Sequence, residues 1–240
     1  MNSNSNGGAV RNKVLGVIGA IAVAAGAWLA SASAAERAIK LPPPAVDPAV
    51  TAQQETAVFA GGCFWGVQAV FQHTKGVLNA VSGYAGGDKQ TAKYEMVGSG
   101  RTGHAESVEV TYDPKQISYG KLLQIFLSVA HDPTQLNYQG PDHGTQYRSA
   151  IFYRDANQKQ VAERYIAQLE AAHAFPAKIV TQLTPLSGFY PAEDYHQDYA
   201  TLHPNAGYIV AFDLPKIGNL KTTLPEVYRD QPVLVASSRK

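Results

Sequence analysis

The stretch TAVFAGGCFWGVQAVFQHT, residues 56–74, decides the fold. Thr56 to Ala60 reads as a short strand. Gly61-Gly62 lets the backbone turn tightly. From Cys63 to Thr74 apolar residues recur at helical spacing, with Val67, Val70 and Phe71 on one side and Gly76 as the stop. The turn between strand and helix therefore carries Cys63, the only cysteine in 240 residues. A helix N-terminus favours negative charge through its unpaired N–H groups and macrodipole. The position thus implies a thiolate that forms below the ~8.5 of a free cysteine. Phe64 and Trp65 follow directly and offer apolar walls. A buried inert thiol is the competing reading.

Working outward, Val77 to Tyr84 is a second strand, ended by Gly86-Gly87. His104 to Tyr112 alternates: His104, Glu106, Val108, Val110 and Tyr112 share one face, while Ser107, Glu109 and Thr111 share the other. Asp113-Pro114 ends this strand. Ser118 can cap a helix carrying Leu122, Leu123, Phe126 and Val129. A loop rich in Gly, Asp, Gln and Asn spans 132–144, and Tyr147 to Tyr153 is a further strand. Asp155 can cap a long helix with Val161, Tyr165, Ile166 and Leu169 inward. Lys178 to Leu183 reads as the last strand, and an irregular, proline- and aromatic-rich coat follows from Thr184. The order β-α-β-β-α-β predicts an α+β fold: a ferredoxin-like split βαβ two-layer core with an additional helix and strand.

Hydrophobic content of 45% and charged content of 16% fit a globular core. A net charge of +1 gives no reason to expect nucleic acid as a partner. One cysteine forbids an intrachain disulfide. Arg11 and Lys13 precede an uncharged run, 14–30, and Ala32-Ser33-Ala34 offers a small-residue cleavage site. These are the parts of a secretory signal, residues 1–34. An uncleaved membrane anchor is the alternative. Either reading puts the rest of the chain outside the cytoplasm, in the periplasm if the source is bacterial. The proline-rich stretch 35–55 reads as an extended linker. Residues 56–213 make the domain, and 214–240 a tail.

Glu106 shares a face with Val108 and Val110, where desolvation raises its pKa and keeps a proton available. It is a candidate general acid, unless it escapes to the solvent edge of the strand. His104-x-Glu106 matches half of a zinc-deaminase pattern, but a single cysteine excludes the rest. His196, Asp198 and His203 match no dense metal-ligand spacing, and no metal or other cofactor is expected. Tyr94, Tyr147 and Tyr195 read equally as core aromatics with satisfied hydroxyls.

Together these segments resemble the A class of peptide methionine sulfoxide reductases. The resemblance rests on Gly62-Cys63-Phe64-Trp65-Gly66, Gly83-Tyr84-Ala85-Gly86-Gly87 and Thr102-Gly103-His104-Ala105-Glu106. It continues through Tyr112-Asp113-Pro114, His131-Asp132-Pro133-Thr134, Gln139-Gly140-Pro141-Asp142-His143-Gly144, Tyr147-Arg148-Ser149 and Ala192-Glu193-Asp194-Tyr195-His196-Gln197. It implies that Cys63 attacks the sulfoxide sulfur and Glu106 protonates the oxygen. It also implies that Tyr94 and Tyr147 donate hydrogen bonds to that oxygen, that Asp142 supports the site, and that Phe64 and Trp65 receive the S-methyl group. The class acts on the S epimer of free or protein-bound methionine sulfoxide.

Many relatives carry a second cysteine that attacks the sulfenic acid. Here residues 214–240 contain none. The expected partner is then an external thiol: a thioredoxin-like or glutaredoxin-like protein, or a small thiol. The competing functions are a one-cysteine thiol peroxidase, which usually pairs its thiolate with a cation, and a methionine-sulfoxide binding module. A Cys/His hydrolase is more distant, because His104 and His196 show no nucleophile pairing. No Arg or Lys lies near Cys63 in sequence.

Overall fold

In the computed structural model Met1 and residues 38–235 are described. Strand β1 (Glu55–Gly61) runs into the turn that starts helix α1 (Phe64–Gln72). Strand β2 (Val77–Ala85), the single-turn helix α2 (Tyr94–Val97) and strand β3 (Ala105–Tyr112) follow. Helix α3 (Tyr119–Ile125) continues into a π turn, Phe126–Ala130. A small hairpin, β4 (Tyr138–Gln139) and β5 (Asp142–His143), precedes β6 (Ser149–Tyr153) and the long helix α4 (Ala156–Ala171). Then come β7 (Gln182–Pro185), β8 (Phe189–Pro191), the short helix α5 (Tyr199–Leu202), a second π turn, Ile209–Asp213, and helix α6 (Leu214–Thr223).

Among the described residues the main sheet has the order β7-β6-β1-β3-β2-β8. β3 is antiparallel to both β1 and β2, so those two run parallel and are split by it. β6 lies antiparallel on the other side of β1. This is the expected split βαβ core, with α1 and α3 as its crossovers. α4 adds β7 parallel to β6, and β8 closes the opposite edge against β2. Phe59 of β1 stacks on Phe71 of α1 at 5.2 Å and on Phe126 at 4.9 Å. One strand side chain thereby ties the turn before α1 to both crossovers through an apolar, stacked contact. The caps are those the sequence marks: Ser118 accepts from the Lys121 N–H, and Asp155 from the Gln158 N–H.

Several expectations are corrected. The strand expected over Lys178–Leu183 begins only at Gln182, because the Val180 N–H is already held by the Pro133 carbonyl at 2.8 Å. Tyr147 does not begin β6; it closes a 3₁₀ turn over Thr145–Tyr147. The coat expected to be irregular after Thr184 contains β8 and α6. Pro215 sits in the first turn of α6, where its missing N–H has no helical partner to lose. Leu220 and Leu224 are fully buried, so residues 214–224 belong to the core.

The stretch expected as a linker is extended, but it lies bonded along the domain. Prolines offer only carbonyls, and these are used: Tyr165 donates to the Pro42 carbonyl at 2.8 Å and Gln168 to that of Pro43 at 3.0 Å. Asp47 accepts from the Ser118 hydroxyl and from the Gly120 N–H, fixing the start of α3. No helix among the described residues is long and apolar enough to cross a membrane. The signal or anchor segment lies outside them.

Leu41 is 2% exposed within the main core. Leu41→Ala should therefore lower the unfolding free energy by about 2–4 kcal/mol in urea titrations. A loss below about 0.5 kcal/mol, the scale of a neutral surface change, would show that the strap is peripheral.

Candidate active site

The site is assembled around the turn from β1 to α1. Gly62 has φ +89°, in the left-handed region that glycine adopts without strain. A Cβ there would also lie 2.6 Å from the Gln139 Cβ. Gln139 is locked by Asp132: its side-chain oxygen accepts from the Asp132 N–H at 3.0 Å and its amide donates to the Asp132 carbonyl. Asp132 in turn accepts from the Thr134 N–H and hydroxyl. His131 packs beneath Gly61 and bonds Ser149 at 2.7 Å. Burial pushes the pKa of its ring down to about 4, so it is neutral. The His-Asp-Pro-Thr and Gln-Gly-Pro-Asp blocks thus form the bed of the turn.

Cys63 is the N-cap of α1 and is buried. Glu106, 3% exposed, projects from β3 and accepts the Phe64 N–H on Oε2 at 3.1 Å. Phe64 N–H is one of the unpaired donors of the helix start. With Oε2 engaged as an acceptor, Oε1 is the oxygen left to carry a proton. Burial raises the Glu106 pKa, the Phe64 bond opposes that rise, and the charges of Asp142 and Asp213 add to it, leaving it pushed up to about 8. The expected protonated acid is therefore present at neutral pH.

The expectation of an acidified thiol is overturned. The Cys63 pKa stands well above its ordinary value. Burial is the main cause, and the Glu106 and Asp213 carboxylates add to it. The Trp65 N–H and the Lys216 ammonium act the other way without prevailing. The helix start is real, but two acids and the loss of water outweigh it. Cys63 and Glu106 form a coupled pair in which one proton lost discourages loss of the second.

The tyrosines gather round this pair. Tyr94 and Tyr147 are both raised in pKa, first by burial and then by the charges of Glu106 and Cys63 among others, so both keep their hydroxyl protons. Glu193 holds Tyr94 by accepting its backbone N–H at 3.0 Å, and also accepts the Tyr84 hydroxyl at 2.8 Å. Arg148 braces the 3₁₀ turn of Tyr147 by donating to the carbonyls of Thr145, Gly103 and His104. Asp142 is half-buried and accepts the Tyr208 hydroxyl.

Phe64 and Trp65 make an aromatic box with neighbours from the C-terminal part. Trp65 stacks on Tyr199 at 3.9 Å and meets Tyr208 edge-on at 6.0 Å. Its indole N–H donates to His196 Nδ1 at 3.2 Å, which places the imidazole proton on Nε2. The His196 ring also lies 5.0 Å from Phe64 and 4.4 Å from Tyr94.

Other candidates go elsewhere. His104 has Nδ1 on the Gly87 N–H and Nε2 on the Asp88 carbonyl, so its ring is committed to the loop after β2. Asp198 accepts from Gln72 and from the Val235 N–H, away from His196. Tyr195 is 62% exposed, at the rim. Sequence reasoning missed Tyr208, Asp213 and Lys216. Their signal was present: Asp213-Leu214-Pro215 marks a helix start, with Ile217, Leu220 and Leu224 apolar at helical spacing.

A buried thiol beside a protonated carboxyl, under an aromatic box and ringed by phenols, defines a cysteine-based oxidoreductase acting on a small polar group with an apolar substituent. The comparisons with known proteins carry this further. The profile of the peptide methionine sulfoxide reductase family matches residues 55–225. A peptide methionine sulfoxide reductase MsrA 2 of Mesorhizobium japonicum is 63% identical over 184 residues, spanning 77% of this chain and 94% of that protein. One of Synechocystis is 53% identical, over 74% of this chain and 85% of its own. Among solved structures, methionine sulfoxide reductase A of Corynebacterium diphtheriae is similar with a TM-score of 0.55 at 38% identity, covering 70% of this chain and 85% of that one. Reduced Mxr1 of Saccharomyces cerevisiae is similar with a TM-score of 0.62 at 30% identity, covering 70% and 95%. The chain belongs to the peptide methionine sulfoxide reductase family, A class, and is an oxidoreductase of that family.

The raised Glu106 pKa has a consequence for stability. Between about pH 4.5 and 8 the folded protein holds a proton on Glu106 that the unfolded chain releases, so stability falls as pH rises through that window. The loss should reach roughly 5 kcal/mol at most. Glu106→Gln removes it, so the two proteins' unfolding free energies should diverge from pH 5 to 8 in favour of the variant. Parallel pH profiles would show that Glu106 is ionised at pH 5.

Proposed function

We propose that this enzyme reduces the S epimer of methionine sulfoxide, free or protein-bound, through a sulfenic acid on Cys63 that an external thiol resolves. The observation that carries the reading is the Glu106 acid, buried beside Cys63 and oriented by the Phe64 N–H. In the proposed reaction the Cys63 sulfur attacks the sulfoxide sulfur as Glu106 gives its proton to the oxygen, and the carboxylate left on Glu106 takes up the proton that the thiol loses. Protonation makes that oxygen a competent leaving group. Tyr94 and Tyr147 donate to the oxygen before transfer. The Phe64–Trp65 box takes the methyl group, and its chirality selects the epimer, as one enzyme per epimer requires. Asp142, held by Tyr208, keeps the polar side of the site in place.

The bond between the two sulfurs then breaks as the sulfoxide oxygen, or a water that replaces it, bonds to Cys63: the substrate leaves reduced, as the thioether, and Cys63 is oxidised to Cys–SOH. A first external thiol displaces water to give a mixed disulfide. A second releases the Cys63 thiol and leaves with the first as a disulfide. Cys63 is alone in these 240 residues, which supports a donor outside the chain. The donor class is a thioredoxin-like or glutaredoxin-like protein or a small thiol. Two substitutions divide the labour. Cys63→Ser should abolish turnover with the fold kept, and Glu106→Gln should slow it by about 10²–10⁴-fold. A Glu106→Gln rate within about threefold of the original would place the proton source elsewhere. In a single turnover without reductant, mass spectrometry should find one oxygen added on the Cys63 peptide. A disulfide-linked dimer before any thiol is added would instead mean resolution between two chains.

We further infer export. Arg11 and Lys13, the apolar run and the Ala32-Ser33-Ala34 site support a cleaved signal and a periplasmic enzyme in a bacterial cell. N-terminal sequencing of the enzyme isolated from its source should begin at Ala35. An intact N-terminus in the membrane fraction would establish the anchor instead.

A further inference from the structure

One buried ion pair lies beyond the roles described so far. Lys216 Nζ is 3.6 Å from Asp213 Oδ1, with side-chain exposures of 6% and 0%. Both come from the junction of the second π turn and α6, some 150 residues after Cys63 in the chain. Asp213 is seated on α1 at Gly66: a Cβ on that glycine would stand 2.2 Å from Asp213 Oδ1 and 3.1 Å from Lys216 Cδ. Gly66 lies three residues past Cys63, in the first turn of α1, so the missing side chain admits the Asp213 carboxylate and the Lys216 chain that carries its ammonium partner to the helix start that holds the thiol.

A buried pair of this kind is weak evidence of added stability, because two desolvated ions offset much of their own attraction. Its placement is better explained by what it faces. The field of the pair reaches Cys63, and that of Lys216 also reaches Asp142 and His131. The other titratable groups facing Cys63 are Glu106 from β3, Tyr94 from α2, Tyr147 from the 3₁₀ turn and Tyr208 from the chain before α6. Glu106 is protonated at neutral pH and the phenols are neutral. Lys216 is then the cation, and Asp213 the anion, that a forming Cys63 thiolate meets.

We propose that Asp213 and Lys216 are a positioning pair for the reductase step: seated at Gly66, Lys216 favours the Cys63 thiolate, while Asp213 anchors the lysine and restrains that effect. The C-terminal helix, which supplies no resolving cysteine, instead supplies the charge that sets the nucleophile's readiness. The proposal rests on Cys63 being the nucleophile. Loss of activity in Cys63→Ser tests that premise, while the experiment below reads thiol reactivity directly and does not depend on turnover.

The experiment is the rate of Cys63 alkylation by iodoacetamide across pH, in which the thiolate sulfur displaces iodide to form a thioether. Lys216→Met should slow the reaction at neutral pH by about threefold to tenfold and move its profile to higher pH, the effect of losing one nearby, partly screened charge. Asp213→Asn should speed it by a similar factor and move the profile lower. Lys216→Arg should restore the rate to within about twofold, and the doubly neutral Asp213→Asn/Lys216→Met protein should fall between the singles. Opposite signs cannot come from loosened packing, which would move both singles the same way. Changes of the same sign, or none beyond about twofold, would overturn the proposal. If Lys216→Met does not fold, Asp213→Asn and the doubly neutral protein decide: an unchanged or slowed Asp213→Asn rate overturns it.

Discussion

The bond from the Phe64 N–H to Glu106 Oε2 is the constraint on which the site depends. It joins the first free donor of a helix to an acid on the central strand, and both groups are out of water. A carboxylate would accept that bond more strongly, yet burial and the neighbouring acids keep the group protonated. The bond therefore decides which oxygen is the acceptor and which holds the proton. Everything around it maintains this one orientation. Gly61 and Gly62 let the turn close on His131 and Gln139, and the Asp132 loop pins Gln139. Arg148 and Glu193 hold the segments that bring Tyr147 and Tyr94.

The raised pKa of Cys63 gives this arrangement a second meaning. An accessible thiolate would react with any passing electrophile. A thiol held neutral by burial and by neighbouring acids is quiet until a bound group changes the balance. In the proposed reaction a sulfoxide seated in the aromatic box brings a positive sulfur towards Cys63 and a negative oxygen towards Glu106. Both charges favour loss of the Cys63 proton and transfer of the Glu106 proton to the oxygen. Selectivity then follows from electrostatics as well as from the shape of the box.

The sequence was most legible where one element imposed its own period. The alternation from His104 to Tyr112 placed Glu106 on the apolar face of β3, and the glycine pair marked the turn before α1. The split βαβ order followed from those elements. What it hid was contact between distant segments. Nothing local to Cys63 announced that Asp213 and Lys216 would lie against Gly66, so the helix start alone argued for an acidified thiol; the burial of the thiol itself, and after it the charges of Glu106 and Asp213, reversed that. The prolines of 42–44 suggested an extended linker, because their missing donors say nothing of which side chains their carbonyls meet. The strand near Lys178 was displaced by one backbone bond from Pro133, which no periodicity encodes.

The protonation of Glu106 in the free enzyme is the centre of this account, and infrared difference spectroscopy reads it without turnover. Subtracting the spectrum of Glu106→Gln from that of the unsubstituted enzyme isolates the one carboxyl group. The account predicts a protonated carboxyl stretch at pH 6 and 7 that gives way to carboxylate bands around pH 8. Carboxylate bands already present at pH 6, with no protonated stretch, would contradict it.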